Sequence, residues 1–367
     1  MTTNQIYTIV NSIAAQALGS TSLTAVDTQG LVALGTTVLS SSTNTEAFLD
    51  TLAQRIGKTI IDYRRYRNRL ADMVMDDFEY GAILQKIKVH MPDAESDESY
   101  GLTDGVAVDH YVVAKPVVTQ KLFVTRTPYQ FKITIQREHL KEAFQGPEQM
   151  GGFIGAVFGE VQNAVEFALE NLGKTCINNF IAESAHAVPL VSNYNNDNGT
   201  SLTAATAPYD AKFMAYAIAR INEVCDMMQS MSEAYNDGSV ARFTPPEDVR
   251  VKILSRFNRM AQTVVQYAAF HEELVSIDNR FEIIPFWQDV LTPAAINITR
   301  ASDGTATSVS NIIAVVHDRD ALGMYRKEET IATTPMNAAG LYYNQYWHEK
   351  QLWFNDLSEN FVYFTLN

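Results

Sequence analysis

The sequence predicts an α+β fold in which one long helix supports strands drawn from distant parts of the chain. Three observations carry that expectation. Apolar residues recur at steps of three and four from Phe153 to Ile181. Period-2 alternation marks Ile87, Val89 and Met91, and again Phe131, Ile133 and Ile135. The tail from Tyr325 to Leu366 consists of strand-like aromatic clusters broken at Pro335, Gly340 and Asp356. The first pattern is that of an amphipathic helix and the others are those of strands.

In chain order, Ile6 to Leu18 reads as a short helical stretch. Gly19 to Thr45 is rich in Ser, Thr and Gly and shows no helical period, so residues 1–45 read as an arm ordered by whatever it lies on. A helix follows, capped by Thr45, with Phe48, Leu49, Leu52 and Ile56 on one face. The two alternating stretches are separated by a long segment without helical signal. It holds Asp93, Glu95, Asp97, Glu98, Asp104 and Asp109, and no Lys or Arg occurs from Met91 to Ala114. So long a connection is unusual inside a compact domain, and a projecting hairpin over residues 81–136 explains it.

Arg137 to Phe144 reads as a short helix before a break at Gly146-Pro147. The spine helix, residues 153–182, carries Phe153, Ile154, Val157, Phe158, Val161, Val165, Leu169, Leu172, Cys176, Ile177, Phe180 and Ile181 on its stripe. At 1.5 Å per residue it spans about 45 Å. Pro189 to Pro208 reads as a polar loop and Asp210 to Tyr235 as a helix. Strands near Val249–Leu254, Phe281–Phe286 and Ile312–His317, with a helix near Arg256–Phe270, make a mixed subdomain.

Composition narrows the function classes. The 367 residues are 46% apolar and 19% charged, enough for a sizeable core. Lys and Arg number 28 against 42 Asp and Glu, a formal net charge of -14 that repels nucleic acid overall. The two cysteines, Cys176 and Cys225, imply no disulfide framework and fit a reducing compartment. The first twenty residues make a poor signal peptide, and no apolar run is long enough for a membrane span. A soluble chain made in the cytoplasm is the expectation.

This order of parts resembles the major capsid fold of tailed bacteriophages and herpesviruses, the Hong Kong ninety-seven type. Three stretches resemble in particular the capsid proteins of short-tailed phages of the phi-twenty-nine kind. They are LAQRIGKTII at 52–61, REHLKEAF at 137–144, and the close from His317 to Leu366, with its Tyr/Lys strand, Pro-x-x-x-x-Gly turn and aromatic strand. The likeness covers residues 45–366. It implies an N-terminal arm at 1–45 and an extended hairpin (the E-loop) at 81–136. It also implies an axial domain at 209–325, and a peripheral domain from 46–80, 121–208 and 326–367 that contains the spine helix. Self-assembly into hexamers and pentamers of an icosahedral or prolate shell around packaged double-stranded DNA follows. So do a separate scaffolding protein, a portal protein, no appended immunoglobulin-like domain, no membrane partner, and residence in the virion after assembly in host cytoplasm. Encapsulin-like nanocompartments share the fold and are the alternative; an α+β enzyme is the alternative from another class.

Catalytic signals are weak. His271-Glu272-Glu273-Leu274-Val275 lacks the second His of a zinc-protease helix, no phosphate-binding loop or nucleophile elbow occurs, and Cys176 sits on the apolar stripe. No catalytic residue, metal or cofactor is expected. The acidic run Asp93, Glu95, Asp97, Glu98 lacks the Gly and distal Glu of a calcium loop, which favours a solvated tip or one paired with a neighbour. Tyr63-Arg64-Arg65-Tyr66-Arg67-Asn68-Arg69 is the one dense basic cluster. Arg64, Arg65, Arg67 and Arg69 suit either phosphates or the carboxylates of an adjacent subunit. Some capsids of the fold that the chain resembles cross-link covalently through Lys and Asn side chains. Lys115 and Lys121 are candidate lysines without a basis for choosing a pair, and the resemblance to the phi-twenty-nine kind implies a non-covalent shell.

Overall fold

The computed structural model of the chain describes residues 3–19, 24–56, 66–75, 84–92, 100, 104–107, 111, 113–124, 126–268 and 281–367. Its first elements are α1 (Thr3–Leu18), α2 (Thr28–Val38), α3 (Ser42–Ile56), β1 (Val74–Met75), β2 (Leu84–Val89), β3 (Val118–Phe123), β4 (Arg126–Gln136) and α4 (Arg137–Ala143). Next come α5 (Pro147–Glu183), β5 (Ala187–Pro189), α6 (Leu190–Asn198), α7 (Ala211–Met228), β6 (Val249–Leu254), α8 (Ser255–Ala268) and β7 (Phe281–Ile284). The last are β8 (Ile296–Thr299), β9 (Ala306–Val309), β10 (Ile312–Asp318), β11 (Leu322–Thr333), β12 (Tyr342–Asn355) and β13 (Phe361–Thr365). Two compact units share these: Met1–Phe78, Arg126–Gly173 and Met324–Leu352 form the first, and Glu79–Thr125, Lys174–Gly323 and Trp353–Asn367 the second.

In the first unit a sheet of order β1-β11-β12-β4 supports the helices. Its central pairing is antiparallel, with Tyr343 opposite Ile135 and Trp347 opposite Phe131. The inward positions of β12, Tyr343 and Trp347, meet Ile154, Phe158, Val161, Val165 and Leu169 of α5 in one core. The Phe158 and Trp347 rings lie 6.0 Å apart. Pro147 opens α5, where its fixed φ is preorganised and its missing N–H costs nothing.

Of residues 19–45, the described stretch from residue 24 onward departs from the expectation of an arm without helical order. Asp27 caps α2 by accepting from the Gly30 N–H at 2.7 Å, and Leu31, Leu34, Gly35 and Val38 form its buried stripe. They join Ile6, Val10 and Ile13 of α1 and Phe48, Leu49 and Leu52 of α3 in the same core. The helical period is present at i, i+3, i+4 and i+7; intervening Thr and Gly residues disguise it. Gly35 is required by a close approach, since a Cβ there would lie 2.5 Å from the Phe144 side chain. Thr45 does not cap α3. Ser41 does, accepting from the Asn44 N–H at 3.1 Å, while the buried Thr45 hydroxyl donates to the Val38 carbonyl at 3.0 Å and ties α3 to the end of α2.

In the second unit a five-stranded sheet has the order β5-β13-β10-β6-β7. Every residue of β6, β10 and β13 is buried, the mark of central strands covered on both faces. The Phe180 and Phe361 rings stack at 3.9 Å against this sheet. Asp210 caps α7 by accepting from the Phe213 N–H at 2.8 Å; the helix ends at Met228, short of the expected Tyr235. The expected loop after Pro189 contains α6. Leu190, Val191 and Tyr194 face inward there, and Gly199 ends it in the left-handed region at φ 63°.

The hairpin also differs from expectation in partner and in facing. Ile133 and Ile135 of β4 pair with β12, while β2 pairs with β3, placing Lys86 opposite Lys121 and Ile87 opposite Gln120. Lys88 is buried, whereas Ile87 and Val89 are 61% and 58% exposed. Apolar alternation in β2 therefore marks the outward face.

Candidate assembly surfaces

Of the eight residues expected to meet neighbours, Asp93, Glu95, Asp97, Glu98, Arg64 and Arg65 lie outside the described residues. Arg67 and Arg69 are both exposed. The segment that carries them is anchored on α5. The Tyr66 N–H donates to Asn163 Oδ1 at 2.9 Å, its hydroxyl donates to Glu170 Oε2 at 2.7 Å, and the Arg69 N–H donates to the same oxygen at 3.3 Å. Glu170 is only 2% exposed, so this carboxylate is a fixed acceptor that holds the basic segment to the helix while the Arg67 and Arg69 side chains face solvent. Burial, then the hydrogen bond and charge of Glu170, push the Tyr66 phenol up to about 12.

Tyr66→Phe removes that donor. The expected cost is about 1–3 kcal/mol, because a buried carboxylate loses a partner. A lower melting temperature and the loss of a tyrosinate absorbance step near pH 12 check it.

A second charged constellation sits at the root of the hairpin, inside the second unit, and sequence reasoning missed it. Asp356, in the turn between β12 and β13, has a fully buried side chain. Its carboxylate receives Lys88 Nζ at 2.7 Å, Lys121 Nζ at 2.9 Å and Lys86 Nζ at 3.3 Å. The Ser358 hydroxyl donates to it at 2.6 Å. Glu359 adds a second carboxylate, 2.7 Å from Lys88. Burial alone would raise the Asp356 carboxyl. Hydrogen bonds from Lys121, Lys88 and Ser358 and the charge of Lys86 more than offset this, holding it well below the usual carboxylate range. The legible trace was Lys86-x-Lys88 on a strand together with Asp356-x-x-Glu359 in a turn, but nothing in the sequence joins the two.

Cys176 and Cys225 are free and buried, and desolvation pushes the Cys176 thiol up to about 12, so it is not a nucleophile at neutral pH. The His271–Val275 stretch lies outside the described residues. Among the described residues no cluster of His, Cys, Asp or Glu could hold a metal ion, and no helix is long and apolar enough to cross a membrane. Lys115 is exposed and Lys121 is committed to Asp356.

The family model of the Phi29-like phage major capsid protein matches residues 10–365. The chain belongs to that family. It is 24% identical to the major capsid protein of Bacillus phage B103 over 353 residues, which is 94% of this chain and 70% of that one. Two solved structures are similar in fold. One is the capsid of Staphylococcus phage Andhra, with TM-score 0.51 and 12% identity over 84% of this chain and 87% of that one. The other is a chain in the structure of the head fiber and inner core protein gp22 of native bacteriophage P68, with TM-score 0.56 and 10% identity over the same shares. This capsid protein therefore has the mixed α+β phage capsid fold of the Hong Kong ninety-seven type. It is a structural subunit that assembles with its own copies into the shell of the virion, and the nanocompartment reading is not favoured.

Proposed function

We propose that this capsid protein forms hexamers and pentamers of an icosahedral or prolate shell enclosing packaged double-stranded DNA. It does so in host cytoplasm with a separate scaffolding protein and a portal protein, and it catalyses no reaction. Of the expected hairpin 81–136, the part closed by β2 and β3 acts as the extended hairpin, residues 209–325 act as the axial domain, and the helices of 1–45 as the N-terminal region that neighbours contact. The observation that carries the reading is the hairpin itself. Its described residues 104–107, 111 and 113–117 are all exposed, so it projects surface that its own unit does not cover. Negative-stain microscopy of the expressed chain, with and without a co-expressed scaffold, tests it. Closed shells are expected with the scaffold, and monomers under both conditions would overturn it.

The acidic tip, Asp93, Glu95, Asp97 and Glu98, meets Arg64, Arg65, Arg67 and Arg69 of an adjacent copy in this reading. Support comes from the exposure of Arg67 and Arg69 beside a backbone anchored on Glu170. Each exposed ion pair contributes about 1 kcal/mol or less, but a closed shell repeats the contact in every copy. Charge reversal at Asp97 and Glu98 is expected to lower assembly yield while the chain stays folded, and added reversal at Arg65 and Arg67 to restore part of it. An unchanged yield and salt dependence would make the tip a solvated loop. Loss of packaged DNA from intact shells on changing the arginines alone would favour phosphate contact instead.

A further inference from the structure

The β2–β3 hairpin has two unlike faces. Antiparallel pairing puts opposed residues on one face, so Leu84 with Phe123, Lys86 with Lys121, and Lys88 with Thr119 share the first. Gln85 with Leu122, Ile87 with Gln120, and Val89 with Val118 share the second. Apolar burial alone would seat the second face, which holds four large aliphatic side chains, against the unit. The structure does the reverse: Val118 and Leu122 are 52% and 53% exposed, beside the outward Ile87 and Val89.

The Asp356 carboxylate accounts for the reversal. A buried carboxylate without counter-charges costs several kcal/mol, and the lysines of both strands are the partners within reach. The seat is otherwise sparse. Phe123 meets Phe354 at 5.1 Å, Lys86 lies 5.3 Å over the same ring and donates to the Asp320 carbonyl, and Glu359 links Lys88 to Arg242 at 3.9 Å. Gly238 closes the turn from below, where a Cβ would come within 2.3 Å of the Ser358 side chain. The turn that carries Asp356 is thus also held by close packing on Gly238, independently of the lysines.

We propose that Asp356 selects the contact face of this capsid protein. By drawing Lys86, Lys88 and Lys121 inward, its carboxylate turns Ile87, Val89, Val118 and Leu122 outward to pack on a second copy of the chain. The choice of a second copy rests on the proposed shell function; the facing of the hairpin does not.

Amine acylation with a succinimidyl ester, read lysine by lysine on unassembled full-length chain, tests the facing. In the unaltered chain Lys88, with its side chain 9% exposed, is expected to react at least tenfold more slowly than the exposed Lys115. In Asp356→Asn, Lys88 is expected to approach the rate of Lys115 while the fully buried Lys252 stays protected. Continued protection of Lys88 in a folded D356N chain overturns the proposal. If D356N also exposes Lys252, the double variant Lys86→Met and Lys121→Met takes its place, since it leaves every residue of the turn and of the five-stranded sheet unchanged and keeps Lys88 on Asp356. Amide exchange across 84–89 and 118–123 is then expected to rise at least tenfold with 249–254 unchanged, and no rise overturns the proposal. Ile87→Lys with Leu122→Lys tests the contact. Lys88 protection is expected to persist and shell yield to fall severalfold, and full yield would show that another surface meets the neighbour.

Discussion

Val161→Asp is expected to leave this capsid protein unable to fold, rather than merely unable to assemble. Val161 is 5% exposed on the stripe of α5 and belongs to the core that also holds Phe158, Val165, Leu169 and Trp347. A carboxylate there would have no counter-ion among apolar neighbours, at a cost of several kcal/mol. Domain stability is only about 5–15 kcal/mol, so one such change removes much of it. Leu169→Asp, two turns further along the same stripe, is expected to behave alike. Ala156→Asp is the control, since Ala156 is exposed on the same helix and its substitution should cost about 0.5 kcal/mol or less. Soluble yield, far-ultraviolet circular dichroism and melting temperature distinguish the three. Soluble V161D chains with a normal melt would show that the stripe is a free surface.

The stripe was legible because it repeats over many turns, so the helical period outweighs any single residue. The same physics makes α2 and α6 illegible. Each has only three or four inward apolar positions, Leu31, Leu34 and Val38 in one and Leu190, Val191 and Tyr194 in the other, set among Thr, Gly and Asn. The break points at Pro335, Gly340 and Asp356 fall between β11, β12 and β13 because proline, glycine and a buried turn carboxylate all interrupt a ladder. Facing is a different kind of information. Alternation in β2 says that two faces differ, and the rule that apolar residues point inward assigns them wrongly here. The deciding group, Asp356, lies 270 residues along the chain from Lys86. The arginine cluster is legible from local density alone; its anchor, Glu170, lies on α5 101 residues from Arg69 and carries no local signature.

Trp287→Ala is expected to produce the largest loss of stability among conservative truncations in the second unit. Trp287 follows β7 in an irregular segment, yet it is fully buried and, with Trp347 of the first unit, is one of the two largest fully buried side chains among the described residues. Three hydrogen bonds fix it. Its indole N–H donates to the Ile312 carbonyl at 3.1 Å, its backbone N–H donates to the Pro293 carbonyl at 3.1 Å, and its carbonyl accepts from Asn178 Nδ2 at 3.0 Å. Truncation leaves a cavity against β10 at a cost of about 3–5 kcal/mol and takes the indole donor from the Ile312 carbonyl. For a unit of this size each kcal/mol lowers the melting temperature by about 2–4 °C, so a fall of roughly 6–20 °C is expected. Trp287→Phe separates the two contributions: the ring refills most of the volume and only the indole hydrogen bond is lost, at about 1–3 kcal/mol. Calorimetry of both variants checks the order, with Ala well below Phe and Phe below the unaltered chain. Equal melting of Ala and Phe would assign the effect to the hydrogen bond alone, and no change in either would show that this segment does not pack on the sheet. Because the hydrogen bonds from Asn178 Nδ2 to the residue 287 carbonyl and from the residue 287 N–H to the Pro293 carbonyl survive both substitutions, the segment should keep its path, and the loss is read as packing rather than as a rearranged loop.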